Sequence, residues 1–216
     1  MVSRSKPYSL SPDLIHFVAP DDGYLDFLVA LNREAFEGSR FQMTVKELSA
    51  RNTGFIDKHP KVFMLIRNPS TEMEQAGDGY RFVGYTCVLP LNEVGADRYL
   101  NGLLRDREVR ASLLCGPREP CNHILLFSIA LGSQYSRKPS GVILFPFLLR
   151  CAEYHIQTIA QFHDDSGRIT VWAHSEFRTL QKLLEKRGFT RDPQRHSADG
   201  LGLYSRKLEV TTTSKR

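Results

Sequence analysis

Five consecutive segments decide the fold of this chain: ILLFSIAL (124–131), SQYSRKPSG (133–141), VILFPFLLRCAEY (142–154), RITVWA (168–173) and SEFRTLQKLLEKRGF (175–189). The first is a continuous apolar run with the length of a buried strand. The second is polar, and the third places Ile143, Phe147 and Cys151 four residues apart, which is helical spacing. The fourth alternates as a strand does, and the fifth is again helical. The segments therefore predict the order strand, loop, helix, strand, helix, which is typical of an α/β domain.

The end of the last of these helices is marked by its own residues. Lys186 and Arg187 suit the negative end of the helix dipole, and Gly188 suits the left-handed position after the last turn. Phe189 can pack back on that turn. Residues 200–208 then alternate between two faces, which predicts a final strand.

The first half of the chain begins with a strand and two helices. Residues 15–18 predict a short strand, and the aspartates at 21 and 22 are N-cap candidates for a helix that runs to about Glu37. Thr44 and Glu47 have the spacing of a capping box, which predicts a second helix that ends near Gly54.

A hairpin and an insertion follow. Two β-rich runs, 62–66 and 80–91, flank the polar residues 68–79, so the sequence predicts an antiparallel hairpin. Residues 92–120 are amphipathic and longer than a hairpin connection needs to be. We expect an inserted helical segment there.

Length and composition favour one domain without a membrane span. The chain has 216 residues, of which 41% are hydrophobic, and this is enough for a substantial core. Its longest apolar runs fall well short of the roughly 20 residues that cross a bilayer, and no apolar segment follows the basic N-terminus as in a secretory signal. We expect a cytoplasmic protein with a flexible tail at 1–10, a single domain at 11–209 and a second flexible tail at 210–216.

The net charge of +5 comes from the two ends of the chain. Residues 1–10 carry +2 and residues 205–216 carry +3, so residues 11–204 are neutral by subtraction. Charge in tails predicts weak, salt-sensitive attraction to polyanions and no specific nucleic-acid site. The four cysteines form no CxxC pair and no histidine has zinc-ligand spacing from them, so the sequence indicates neither a metal site nor a disulfide framework.

The order of the five segments resembles the GNAT superfamily of acyltransferases. The resemblance covers residues 123–208 by motif and the remainder by pattern only, and LLEKRGF (183–189) is its most specific part. It implies an α/β fold with a mixed, largely antiparallel central sheet, a splayed pair of parallel strands and flanking helices. It also implies acetyl-CoA or another acyl-CoA as acyl donor, with the pantetheine arm in the gap between the splayed strands.

The resemblance further implies where the donor binds. Main-chain groups of the first strand would hold the pantetheine, and the loop and first helical turn after it would receive the diphosphate, where backbone N–H groups and the helix dipole favour anions. The implied CoA-binding residues are Ile129, Ala130, Leu131, Ser136, Arg137, Lys138, Ser140, Gly141 and Val142.

Three departures from the family pattern bear on activity. Pro139 replaces the first glycine of the diphosphate loop and has no N–H to donate. Phe177 and Leu184 stand where many members carry Asn and Tyr, and that Tyr often protonates the departing thiolate. These departures motivate a second hypothesis, a GNAT-like binding or regulatory module without transfer activity.

An active enzyme of this type would transfer the acyl group directly to an amine, with a base to accept the amine proton. His123, at the start of one strand, and His174, at the end of the next, are the titratable groups best placed to act near pH 7. Glu34, Phe36 and Phe41 fall where acceptor pockets of the family are often walled, although ordinary packing also explains them.

The acceptor stays open between a small molecule, a peptide and a protein amine, and a homodimer is compatible with the sequence. A third hypothesis is an acyltransferase similar to acyl-homoserine-lactone synthases, which would use an acyl carrier protein as donor. Residues 92–120 offer room for that partner, but no residue pattern demands it.

Overall fold

The computed structural model describes residues 12–67, 82–136, 139–163 and 168–208. The two predicted tails, 1–10 and 210–216, and the candidate diphosphate ligands Arg137 and Lys138 lie outside these ranges. Within them, no helix is both long enough and apolar enough to cross a membrane.

The described strands form one seven-stranded sheet with the order β1-β2-β3-β4-β5-β7-β6. The strands are β1 Ile15–Phe17, β2 Phe63–Arg67, β3 Phe82–Leu91, β4 His123–Leu131, β5 Ile169–His174, β6 Thr190–His196 and β7 Gly202–Leu208. Every neighbouring pair is antiparallel except β4 and β5, which are parallel. The predicted mixed, largely antiparallel sheet is confirmed.

The described helices are α1 Tyr24–Ala35, α2 Val45–Lys58, α3 Glu93–Leu100, α4 Ser133–Ser136, α5 Pro139–Gln161 and α6 Arg178–Lys186. The predicted capping box starts α2, since the Glu47 N–H donates to Thr44 Oγ1 and the Thr44 N–H donates to Glu47 Oε2. The prediction that this helix ends near Gly54 was wrong. The helix continues for one more turn because Phe55 and Ile56 are buried against the core.

Helices cover both faces of the sheet. On one face Leu28 of α1, Phe55 of α2 and Tyr99 of α3 pack against Tyr85 of β3 in one buried cluster. On the other face α5 packs across β2, β3 and β4, and α6 covers later strands, where Leu184 is buried among strand residues. The result is a three-layer arrangement of helices, sheet and helices.

The insertion between β3 and β4 packs on the face that carries α1 and α2. It contains α3 and two 3-10 turns, Asp106–Glu108 and Ala111–Leu113. A Cβ at Gly95 would lie 2.4 Å from the Leu113 carbonyl oxygen, so α3 approaches the second turn as closely as a glycine allows. The expected helical segment is confirmed, and its packing carries Asp106 towards the centre of the sheet.

The parallel strands β4 and β5 pair only over their first parts. Their register runs from His123 and Thr170 to Leu126 and Ala173, and within the described chain it goes no further. β4 then continues to Leu131 beside β3, with a bulge at Phe127, because Leu126 pairs with Val88 while Ser128 pairs with Cys87. The two strands therefore part in the middle of the sheet, as the resemblance implies.

One described strand was not predicted. β6 has the sequence TRDPQRH and is mostly exposed, so it has neither the apolar alternation nor the β-branched residues that indicate a strand. Its proline is tolerated because β6 is the edge strand of the sheet.

Candidate functional site

A cavity of about 360 Å³ lies where β4 and β5 part. Phe127, Ser128 and Ile129 of β4 line it, as does His174 at the end of β5. It also reaches both helical layers, since Arg51 of α2 and Phe145 of α5 contribute to its wall. The opening in the sheet thus joins the two faces of the molecule through a single cavity.

At and after the bulge in β4, the consecutive residues Phe127, Ser128 and Ile129 all line this cavity. Ser128 Oγ lies 3.3 Å from Tyr85 Oη, and Asn32 Nδ2 donates to the same phenol oxygen at 2.5 Å. Burial raises the pKa of Tyr85 far above its usual value, so the phenol stays neutral. These side chains are therefore uncharged, and hydrogen bonds hold the Tyr85 hydroxyl between Asn32 and Ser128.

His174 is the ionisable base in the cavity wall. Its side chain is only 8% exposed, and its Nε2 lies 3.2 Å from Asp106 Oδ2. Neither ring nitrogen has hydrogen-bonding geometry to a described partner, so the contact with Asp106 is an electrostatic one. Burial lowers the pKa of His174, but the adjacent Asp106 carboxylate raises it, and the net pKa lies above the usual value.

Asp106 is held by groups of its own. Its Oδ1 accepts a hydrogen bond from Tyr99 Oη at 2.7 Å, and its backbone N–H donates to Asp199 Oδ2 at 3.2 Å. Burial raises the pKa of the Asp106 carboxyl, but His174 and the Tyr99 hydroxyl outweigh this, so the pKa lies below its usual value. Asp106 is therefore ionised at neutral pH and positioned to stabilise a proton on His174.

The second histidine predicted as catalytic, His123, lies elsewhere. It starts β4 at the end where that strand is still paired with β5, and it lines a separate pocket of about 290 Å³ with Glu93, Asp97 and Arg195. Its Nδ1 accepts a hydrogen bond from Trp172 Nε1 at 3.1 Å. Burial lowers the pKa of His123, and the charge of Arg195 lowers it further. The structure brings His174 into the cavity at the strand opening, and His123 into a different pocket.

The residues predicted to hold the donor follow the opened part of β4. Ile129 lines the cavity, and Ala130 and Leu131 continue the strand towards α4 and α5. Ser136 is the last residue of α4, and Ser140, Gly141 and Val142 lie in the first turn of α5, which begins at Pro139. A proline at the first helical position loses no helical hydrogen bond, so Pro139 is compatible with a regular start of this helix.

The other two departures from the family pattern differ in their surroundings. Phe177 is 67% exposed and lines the cavity, whereas Leu184 is buried in the contact between α6 and the sheet. Phe36 and Phe41, predicted as packing residues or pocket walls, line the cavity, and the Phe41 ring lies 6.3 Å from that of His174. Glu34 accepts a hydrogen bond from the Ser133 hydroxyl.

Two residues of the site were missed from the sequence. Asp106 lies in the insertion, which matches no motif, and the sequence DRE around it is typical of a solvated surface. Arg51 lies on a helix whose charged residues resemble an exposed face. No local signal in the sequence points to either residue, because both depend on how the insertion and α2 pack on the sheet.

Several solved structures are similar to this chain. The loading GNATL domain of CurA from Lyngbya majuscula aligns with a TM-score of 0.52 at 14% identity, covering 91% of this chain and 98% of that one. A GNAT-like decarboxylase, GphF, in complex with isobutyryl-CoA aligns with a TM-score of 0.49 at 15% identity, with the same coverage of both chains. An acetyltransferase of the GNAT family from Listeria monocytogenes aligns at 0.48 and 14% identity, covering 90% of this chain and 94% of that one.

No family model matches the chain, and no curated protein matches it. At these identities the similarity establishes the fold alone. The described chain has a GNAT fold.

Proposed function

We propose that this protein is an acyl-CoA-dependent N-acyltransferase, which transfers an acetyl or other acyl group to an amine. The observation that carries the proposal is the position of the His174–Asp106 pair in the wall of the cavity where β4 and β5 part. A base at the point where a thioester would enter the sheet is what direct transfer to an amine requires.

The donor enters from the side of α5. Beyond Leu126, β4 is no longer paired with β5, so the main-chain groups on that edge of β4 have no strand partner. The amides of pantetheine can form hydrogen bonds with these groups as a neighbouring strand would. Ile129, Ala130 and Leu131 are the residues of this segment. The diphosphate then lies at the start of α5, near Ser136, Ser140, Gly141 and Val142, where the helix dipole favours anions. Arg137 and Lys138 add positive charge at the same point of the sequence.

The acceptor enters from the opposite face, where α1, α2 and the insertion wall the cavity. The amine nitrogen attacks the thioester carbonyl carbon, and the new C–N bond forms as the carbonyl becomes an oxyanion. His174 accepts the proton that the nitrogen must lose, and Asp106 stabilises the imidazolium. The C–S bond then breaks, the oxyanion returns to a carbonyl, and the proton passes to the thiolate, so an amide and a free thiol are the products.

The test is a thiol-release assay with acetyl-CoA and longer acyl-CoAs against a panel of amines. Wild-type protein should release thiol in an amine-dependent way, and His174→Ala should lower kcat by about 10²- to 10⁴-fold, the usual contribution of a general base. His123→Ala is the matched control, because this residue lines another pocket, and it should retain activity. Loss of activity in His123→Ala with retention in His174→Ala would contradict the assignment.

The same assay separates the other hypotheses. Calorimetric binding of acyl-CoA without transfer to any amine would favour the binding module that Phe177 and Leu184 motivate. Displacement of acyl-CoA by an acylated carrier protein would favour a carrier-protein donor. The cavity supports the enzyme because its wall contains an ionisable base with a buried carboxylate beside it, which ligand binding alone does not need.

A further inference from the structure

Arg51 is the second unusual charge in the wall of the same cavity. It projects from α2, and its guanidinium carbon lies 5.4 Å from the centre of the Phe127 ring and 5.7 Å from that of Phe55. Its Nε is buried without a hydrogen-bond partner, and none of the ion pairs among the described residues includes Arg51. A guanidinium has five N–H donors, so this side chain retains most of its capacity to bind an anion.

The acidic groups of the cavity wall are already engaged. Asp106 contacts His174 through one carboxylate oxygen and accepts from Tyr99 through the other. Glu176 pairs with Arg40 at 3.2 Å. Both acids that line the cavity are thus in ion-pair contact with other side chains, and Asp106 acts on Arg51 only from beyond ion-pair distance.

Other charged side chains lie near Arg51. Arg107 also lines the cavity. Burial lowers the pKa of Arg51 most, the charge of Asp106 raises it, and the charge of Arg110 lowers it. A half-buried cation with no carboxylate in ion-pair contact is costly, and the cost falls when a ligand supplies an anion with matching hydrogen-bond acceptors. A carboxylate fits, because its two oxygens match the planar fork of a guanidinium.

We propose that Arg51 binds a carboxylate group of one of the two reactants, and that the amine acceptor is the reactant that carries it. This inference rests on the proposed function, and it names the substrate class as amines with a carboxylate, such as amino acids. The acceptor is favoured because Arg51 and His174 line one cavity, and Arg51 belongs to the helical layer opposite the start of α5, where the donor diphosphate lies. One ligand can then present its carboxylate to Arg51 and its amine to His174.

The experiment compares matched pairs of amines, each amino acid with its carboxamide, in wild-type protein and in Arg51→Met. Wild-type protein should prefer the carboxylate member by about 10- to 100-fold in kcat/KM, which is the usual contribution of charge-assisted hydrogen bonds. Arg51→Met should lose this preference and should retain the rate with carboxamides. Equal preference in both proteins, or no preference in wild type, would overturn the inference.

Two further arms keep the result interpretable. Arg150→Met is the matched control, because Arg150 also stacks on a phenylalanine but is exposed on α5 and outside the cavity wall. It should keep the wild-type preference. Arg51→Lys retains the charge without the planar fork and should give an intermediate preference, which keeps the test usable if Arg51→Met does not fold.

A comparison of acyl-CoA donors shows whether the donor or the acceptor carries the carboxylate. If succinyl-CoA gains an Arg51-dependent advantage over butyryl-CoA while amino acids do not differ from their carboxamides, the carboxylate belongs to the donor, and our assignment to the acceptor is overturned. Calorimetry with amino acids in the absence of donor separates this inference from the proposed function. Binding that requires Arg51 without any acyl transfer would support the carboxylate site and contradict the enzyme.

Discussion

The substitution Asp106→Asn tests the pairing at the centre of the site. In wild-type protein the carboxylate oxygen lies 3.2 Å from His174 Nε2. At an effective dielectric constant of about 20, this separation gives an attraction of about 5 kcal/mol between the two charges, which offsets the several kcal/mol that burial costs the imidazolium. The amide keeps the size of the side chain and removes its charge. The effect of burial on the pKa of His174 is then no longer opposed by the Asp106 carboxylate.

The sign of the expected change follows from the pKa of His174. As a base, His174 must be neutral, so kcat rises with pH through its pKa in the enzyme–substrate complex. Burial lowers that pKa and Asp106 raises it above its usual value, so loss of the charge should move the rising limb of the profile to lower pH. The weaker base should also lower the plateau value of kcat by about tenfold or more, as part of the general-base contribution.

The assay is the pH profile of thiol release with one acyl-CoA and one amine for all variants. If the rising limb of this profile reflects the pKa of the amine substrate, Asp106→Asn should leave it in place. If it reflects the pKa of His174, Asp106→Asn should move it. Asp97→Asn serves as the control, because it removes an exposed carboxylate from α3 and should leave the profile unchanged. A limb that stays fixed in Asp106→Asn, or moves to higher pH, would refute the pairing.

Three further predictions concern the packing of the sheet that carries the site. A Cβ at Gly84 would lie 2.2 Å from the Ala130 carbonyl oxygen, so Gly84→Ala should displace the opened part of β4, cost about 1 to 3 kcal/mol of stability and weaken acyl-CoA binding. In the control Gly54→Ala the new Cβ meets only an ordinary contact at 3.5 Å, so stability and binding should be unchanged. Equal acyl-CoA affinities of Gly84→Ala and wild-type protein, measured by calorimetry, would contradict the role of β4. His155 is fully buried, and its ring nitrogens lie 2.7 Å from Thr86 Oγ1 and 2.6 Å from the Lys61 carbonyl oxygen. His155→Ala should therefore lower the free energy of unfolding in urea by about 2 to 4 kcal/mol. The control His196→Ala changes an exposed histidine and should alter this free energy little. Burial lowers the pKa of His155 from 6.5 to about 3, so wild-type stability should fall as pH drops from 6.5 towards 3; a stability curve of His155→Ala with the same slope over this window would show that His155 does not contribute it.

The fold was predictable from the sequence where local patterns agree with tertiary packing. The apolar run of β4, the helical spacing of α5 and the capping box at Thr44 each dictate their element through local chemistry, and packing does not oppose them. The end of α2 was mispredicted because Gly54 is a weak breaker, and burial of Phe55 and Ile56 outweighs its low helix propensity.

The site was only partly predictable. His174 could be predicted because it ends β5, and the order of strands and helices along the sequence places that end beside the opening between β4 and β5. Asp106 could not, because its distance from His174 depends on the path of the insertion, which no short-range pattern encodes. Arg51 was missed for a related reason, since a charged residue on an amphipathic helix looks solvated until the packing of that helix against Phe127 is known.

The central claim is that the donor lies between the opened strands, with its thioester beside His174. A crystal structure with a non-hydrolysable acyl-CoA analogue tests it most directly. We predict that the pantetheine arm runs along Ile129, Ala130 and Leu131 and that the carbonyl carbon lies in the cavity lined by His174 and Ser128. An analogue bound elsewhere, or β4 and β5 paired beyond Leu126 and Ala173 with the cavity closed, would contradict it.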